Sequence, residues 1–149
     1  ITVNPKETAV CGCGKHGCLE QYSSATGVVR CMKKLLEENP DTPCVLRGAD
    51  FAAKDVFDAA RSGDALAARE VDDMTDMLGL ALATIAATTD PEVFLVGGGV
   101  SRAGDVLFQP LTEHYKAYAF KSCRETPIKQ ASLGNDAGIY GAVRLIVGA

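Results

Sequence analysis

Apolar residues recur at helical spacing from Glu20 to about Glu38: Tyr22, Ala25, Val28 or Val29, Met32, Leu35 and Leu36 fall on one side, Lys33, Lys34, Glu37 and Glu38 on the other. This predicts an amphipathic helix, stopped by Asn39-Pro40-Asp41-Thr42-Pro43 because proline restrains the residue before it and donates no backbone hydrogen bond. After a loop to about Ala49, Asp50 is placed to cap a short helix through Arg61, and Ser62-Gly63-Asp64 separates it from a longer one. Residues 65–89 carry the strongest helical pattern (Leu66, Val71, Met74, Leu78, Leu82, Ile85). That helix is expected to lie against a sheet, with Gly79 marking a close backbone approach.

Beyond Asp90-Pro91 the pattern changes period. Glu92–Val96 is a short apolar run, as expected of a strand covered on both faces, and Gly97-Gly98-Gly99 follows at once. Residues 101–120 read as a helix bent or restarted at Pro110, with Leu107, Leu111, Tyr115 and Tyr118 on one side. A weaker strand is expected over 128–133, then a Gly134-Asn135-Asp136 turn with Asp136 as cap, and a last helix over 137–147. Ile1-Thr2-Val3 reads as the tail of a strand. Helix, strand, helix, strand, helix in that order predicts an α/β fold with parallel strands joined by helical crossovers.

Composition narrows the function. With 47% hydrophobic residues in 149, the chain has enough apolar material for a packed core. A net charge of −4 and no basic run longer than Lys33-Lys34 exclude the electrostatic footprint of a nucleic-acid binder. The most apolar stretch, Leu78–Ala87, is far short of the roughly 20 residues that span a bilayer. The chain opens on Ile1 rather than methionine, so further residues are expected upstream.

The six cysteines are unevenly spread. Cys11, Cys13 and Cys18 crowd into one glycine-rich loop, whereas Cys31, Cys44 and Cys123 are scattered, a distribution that fits a reducing cytoplasm and one metal site. Thiolates so arranged favour zinc, since zinc is soft enough for sulfur and has no redox chemistry of its own. A redox or disulfide loop remains the alternative. The fourth ligand is not evident: His16 lies inside the loop, where reaching the same ion is strained, and His114 falls on a surface helix. Two further features invite a functional reading. Glu20 follows the knot directly and either accepts hydrogen bonds from a ligand or only complements a helix N-terminus. The Gly97-Gly98-Gly99 turn at a strand's carboxyl end either approaches a nucleotide or only lets helix and strand pack closely.

CGCGKHGCLEQ resembles the zinc motif of the ROK family, sugar kinases and related transcriptional repressors, whose pattern runs GH and then CxCGxxGCxE. Leu95–Asp105 resembles the family's LxGGGxSxxGD segment, and Leu133–Ala142 its closing LGNDAGIxGA. The matches come in family order along the whole chain, with details closest to the glucokinase branch. The resemblance implies the C-terminal part of an actin-like (ribonuclease H-like), two-lobed sugar kinase. It divides the chain into a zinc loop at 11–18, a helical region at 20–89 and a nucleotide-binding part at 90–149. It implies a structural zinc on Cys11, Cys13 and Cys18, with the histidine of GH, which precedes Ile1, as fourth ligand. Glu20 is implied to bind sugar hydroxyls, and Gly97, Gly98 and Gly99 to line the ATP pocket. No chemistry is assigned to the closing segment.

The activity so implied is ATP-dependent phosphorylation of glucose or a related hexose, a step of carbohydrate metabolism and glycolysis, with Mg accompanying ATP. The expected partners are the hexose, ATP and a second copy in a homodimer, with no nucleic acid and no membrane. The family's aspartate base and phosphate-binding DxGGT turn belong to the N-terminal lobe, so no catalytic residue is assigned here and the isolated chain is expected to be inactive. Two other readings stay open: a sugar-responsive ROK repressor, and a zinc-stabilised dimerisation module without sugar or ATP.

Overall fold

The computed structural model describes residues 1–148. Its elements run α1 (Glu20–Ser23), α2 (Ala25–Glu38), α3 (Ala53–Arg61), α4 (Ala65–Thr89), β1 (Phe94–Val96), α5 (Asp105–Tyr118), β2 (Ile128–Gln130) and α6 (Ala137–Val147), with 3₁₀ segments at Gly99–Ala103 and Gly134–Asp136. β1 and β2 pair in parallel, Phe94 opposite Ile128 and Val96 opposite Gln130, with α5 as the crossover between them. The α/β reading and its parallel strand order hold.

The predicted helix over 20–38 is two helices. Ser24 is extended (φ −86°, ψ 164°) and its hydroxyl accepts the Gly27 N–H at 2.9 Å, so it caps α2 rather than continuing α1. Gly27 explains how the first helix folds over the second. A Cβ there lies 2.7 Å from Glu20 O and 2.7 Å from the Gln21 carbonyl carbon, contacts only glycine avoids.

Asp50 does not cap α3. Ala52 occupies the cap position, and its N–H is taken by the Asp55 carboxylate at 2.8 Å, with Phe51 before the cap and Val56 one turn in sharing the same core cluster. Asp64 does cap α4, accepting from Leu66 and Ala67 N–H. Asp136 makes no side-chain cap on α6.

Two apolar clusters hold the fold. The larger gathers Val28, Met32, Leu35 and Leu36 of α2, Val56 and Phe57 of α3, Leu66, Val71 and Met74 of α4, and Leu107 of α5. Each such side chain stabilises by about 1.5–3 kcal/mol when buried. The second gathers Leu82, Ala83 and Ala86 of α4 with Leu111 and Tyr115 of α5, and Phe94, Val96 and Ile128 of the strands pack on it. Thus only the C-terminal half of α4 meets the sheet, and its N-terminal half packs on helices. Gly79 does mark the close α4–α5 crossing, a Cβ there lying 2.9 Å from His114 Cβ and Tyr115 N.

Three further expectations change. α5 runs unbroken through Pro110, losing one ladder hydrogen bond, and its start is displaced to Asp105 by the 3₁₀ segment. Among the described residues β1 is covered on one face: Phe94 and Val96 point into the second cluster while Leu95, on the opposite side by strand alternation, is 66% exposed. Ile1–Val3 forms no strand of its own but a single antiparallel bridge, Thr2 to Cys18.

Candidate functional site

The cysteine loop is built by backbone hydrogen bonds before any ion is considered. Cys11 N–H donates to Lys15 O at 2.7 Å and Gly14 N–H to Cys11 O at 2.8 Å, closing a tight turn, and Val10 bridges His16 across it. The N-terminal segment lies over the loop: Val3 and Asn4 N–H donate to Gly17 O, and Leu19 N–H donates to Ile1 O. Gly17 (φ +66°) has no alternative residue, since a Cβ there falls 1.7 Å from Asn4 O.

This folding brings the three predicted thiols together. Their sulfurs all lie within 4.8 Å of one another, Cys13 and Cys18 at 3.5 Å, and no disulfide joins them. Cys11 and Cys18 are buried and Cys13 is exposed. Cys11 and Cys13 are chemically unequal. The Lys15 N–H, with hydrogen bonds from Cys18 and Cys11, holds the Cys13 thiol below its ordinary range. At Cys11 the Cys13 N–H favours the thiolate, but burial, the Glu20 carboxylate and the neighbouring sulfurs outweigh it and push the thiol up to about 11. His16 is turned elsewhere, its Nδ1 lying 3.2 Å from Ala9 O, and among the described residues the sulfur group contains no histidine.

Glu20 begins α1 and is exposed. Cys11 Sγ donates to its Oε2 at 3.3 Å, so the knot and the carboxylate are in direct contact. Glu20 shares a shallow recess with Cys11, Gly12, Thr26 and Arg30.

Sequence reasoning passed over the side chains that join knot to helix. Gln21, 7% exposed, accepts the Cys18 N–H on Oε1 (3.1 Å) and donates from Nε2 to Ala9 O (3.0 Å). Arg30, Glu7, Tyr22 and Asn4 form a second linked set. The second set pairs residues 15 to 23 positions apart, which no spacing rule flags, and Gln21 reaches Ala9 across 12 positions although its bond to Cys18 spans only three. The Ser24 cap was signalled by the Ser23-Ser24 pair before a helical run.

The glycine turn stands at the carboxyl end of β1, as expected. Gly98 has φ +82°, Gly97, Gly98 and Gly99 are exposed, and Ser101, 1% exposed, donates its hydroxyl to Gly98 O at 2.8 Å. Ser101 therefore fixes the turn's shape from inside, and Arg61 Nη2 donates to Ala103 O at 2.8 Å to hold the 3₁₀ segment against α3. His114 faces Asp72 (2.9 Å) and Asp76 (3.3 Å) at the α4–α5 crossing, well outside the knot's ligand set.

The sequence pattern of the ROK family matches residues 1–148. The chain belongs to the ROK family. This ROK chain is 41% identical to the glucokinase of Halalkalibacterium halodurans, over 98% of its own length and 46% of the relative's. It superimposes with a TM-score of 0.84 on a ROK family glucokinase from Streptomyces griseus in complex with glucose and AMPPNP, at 33% identity, covering 97% of this chain and 49% of that one. A ROK family transcriptional regulator, a homolog of the E. coli MLC protein, shares the fold at a TM-score of 0.74 and 22% identity, over 87% of this chain and 33% of that one. The chain thus spans about half the length of the kinases it matches. The expected fold, part of an actin-like sugar kinase, agrees with these likenesses. Among the described residues no helix is long and apolar enough to cross a membrane.

Proposed function

We propose that the full-length ROK protein carrying this chain transfers the terminal phosphoryl group of ATP, with Mg, to a hydroxyl of glucose or a related hexose. The observation that carries this reading is the placement of Glu20: an exposed carboxylate at the first position of a helix whose next residue, Gln21, is bonded to the cysteine loop. A carboxylate so placed accepts two or more sugar hydroxyls in charge-assisted hydrogen bonds, which are the stronger kind. The identity to a glucokinase and the likeness to a kinase solved with glucose and AMPPNP support the same substrate class.

Cys11, Cys13 and Cys18 are proposed to hold zinc. The fit rests on three unpaired sulfurs already gathered within 4.8 Å in a loop whose backbone closes by itself. Zinc bound there supplies rigidity, cross-linking residues 11–18. Gln21 then transmits the loop's position to α1, and α1 carries Glu20. Gly97, Gly98 and Gly99 are proposed to lie against ATP, where exposed backbone N–H groups at a strand's end meet phosphate or ribose oxygens without a side chain in the way. Ser101 keeps that turn in shape.

The regulator likeness, at 22% identity, speaks for the fold alone and gives the repressor reading no comparable support. The test is a coupled assay for ADP release by the purified full-length protein with Mg-ATP. Glucose-dependent turnover is expected. Binding of glucose with no ADP formed with any hexose contradicts the kinase reading.

A further inference from the structure

We infer that Arg30 and Glu7 are positioning residues for Glu20, forming a clamp that fixes the short helix α1 independently of the cysteine knot; the inference rests on the sugar-binding reading of Glu20. α1 has only four residues, far below the roughly 12–15 needed for a helix to be even marginally stable by itself. The direction of its first side chain must therefore be imposed by neighbours. The cysteine loop grips α1 at one end, through Gln21.

The other grip comes from α2. Arg30 Nη2 donates to the main-chain carbonyl of Gln21 at 3.0 Å and to Glu7 Oε2 at 3.2 Å, and its guanidinium lies 5.4 Å from the centroid of the Tyr22 ring. Tyr22 in turn donates its hydroxyl to Glu7 Oε2 at 2.8 Å and accepts from Asn4 Nδ2 at 2.9 Å. Glu7 is itself anchored, its Oε1 accepting the N–H groups of Thr8 and Ala9. Backbone from Ala9, the Tyr22 hydroxyl and Arg30 together hold its carboxyl down at about 2 against the opposing effect of burial, so the clamp carries its full charge at any pH near neutrality.

Three segments are thereby tied at one point: the N-terminal stretch at Glu7, α1 at Gln21 and Tyr22, and α2 at Arg30. The salt bridge is half-sheltered, with Glu7's side chain 12% exposed and Arg30's 37%. Arg30 also borders the recess that holds Glu20. Gly27, one turn before Arg30, lets the Glu20–Gln21 backbone approach α2 closely enough for the guanidinium to reach it. A planar guanidinium serves two acceptors and an aromatic face at once, which an ammonium does not.

The test uses the full-length protein and steady-state kinetics with hexose and ATP varied separately. Arg30→Met, which keeps the aliphatic stem, is expected to raise KM for hexose about tenfold, the scale of losing one charge-assisted hydrogen bond from Glu20. KM for ATP and kcat at saturating hexose are expected to stay near wild type, and Arg30→Lys to recover part of the loss. Glu7→Gln should act in the same direction. The double variant should be less impaired than the product of the two single effects, because both act through one contact.

Glu7→Gln retains the acceptor for Tyr22 and carries the test if Arg30→Met does not fold. Unchanged hexose KM in the folded variants, or hexose and ATP KM rising by the same factor, overturns the inference. Glu20→Gln separates the two levels of the argument. If it leaves hexose affinity intact, the sugar reading itself fails. If it abolishes affinity while Arg30→Met and Glu7→Gln do not weaken it, only the clamp fails.

Discussion

Cys11 Sγ donates a hydrogen bond to Glu20 Oε2 at 3.3 Å, so a thiol of the proposed metal site touches the carboxylate of the proposed sugar site. The proposed metal site and the proposed sugar site are therefore adjacent in this chain. Disturbing one should be felt at the other.

Metal content is the first consequence. Native mass spectrometry of the full-length protein is expected to show one zinc per chain, lost on replacing Cys11 or Cys18 by serine, since a hydroxyl is a poor substitute for a thiolate. Because a ligand that binds only the folded state stabilises it, a chelator should lower the melting temperature. The stabilisation removed is about 4 kcal/mol where free metal exceeds its Kd by about a thousandfold. Metal-free protein of unchanged melting temperature contradicts a structural role.

Gly27→Ala tests how α1 is seated. The added methyl meets Glu20 O and the Gln21 carbonyl carbon at 2.7 Å, both backbone atoms that cannot rotate away. A loss of about 1–3 kcal/mol in urea unfolding is expected, together with weaker hexose binding, because the displaced backbone is that of Glu20.

What the sequence made legible, and what it did not, divides at this same place. Long elements with repeated apolar positions, such as α4 and α5, were readable because many residues vote for one period, and the three thiols were readable because chemistry and spacing coincide in eight residues. The break at Ser24 carries a sequence signal, a serine pair suited to an N-cap, but apolar spacing continues across it and masks that signal, and the close approach of Gly27 to Glu20 O is visible only in the folded chain. Arg30 reaches Glu7 across 23 positions and Gln21 across nine, separations that no local pattern encodes. Leu95 is left exposed within this half-length chain. An apolar strand states that both faces suit burial, not which neighbour covers each.

Stability should depend on pH through Glu70, which is only 4% exposed. Burial first, then the charge of Asp73, pushes its carboxyl up to about 8, with Arg30 opposing. In the unfolded chain a glutamate titrates near 4.5, so between these values unfolding releases a proton and stability falls as pH rises. The loss is at most about 1.4 kcal/mol for each pH unit crossed, and it levels off above the folded value. Glu70→Gln should therefore be more stable than wild type at pH 8 to 9 by thermal denaturation, with the difference closing toward pH 4. A constant difference across that range contradicts the assignment.

The sugar site can be tested most directly by calorimetric titration of the full-length protein with glucose, wild type against Glu20→Gln. Losing charge-assisted bonds of about 1.5–3 kcal/mol predicts an affinity reduced between about tenfold and about a hundredfold, with zinc content unchanged. Equal affinity in the two proteins, or no glucose binding by the wild type, contradicts the account.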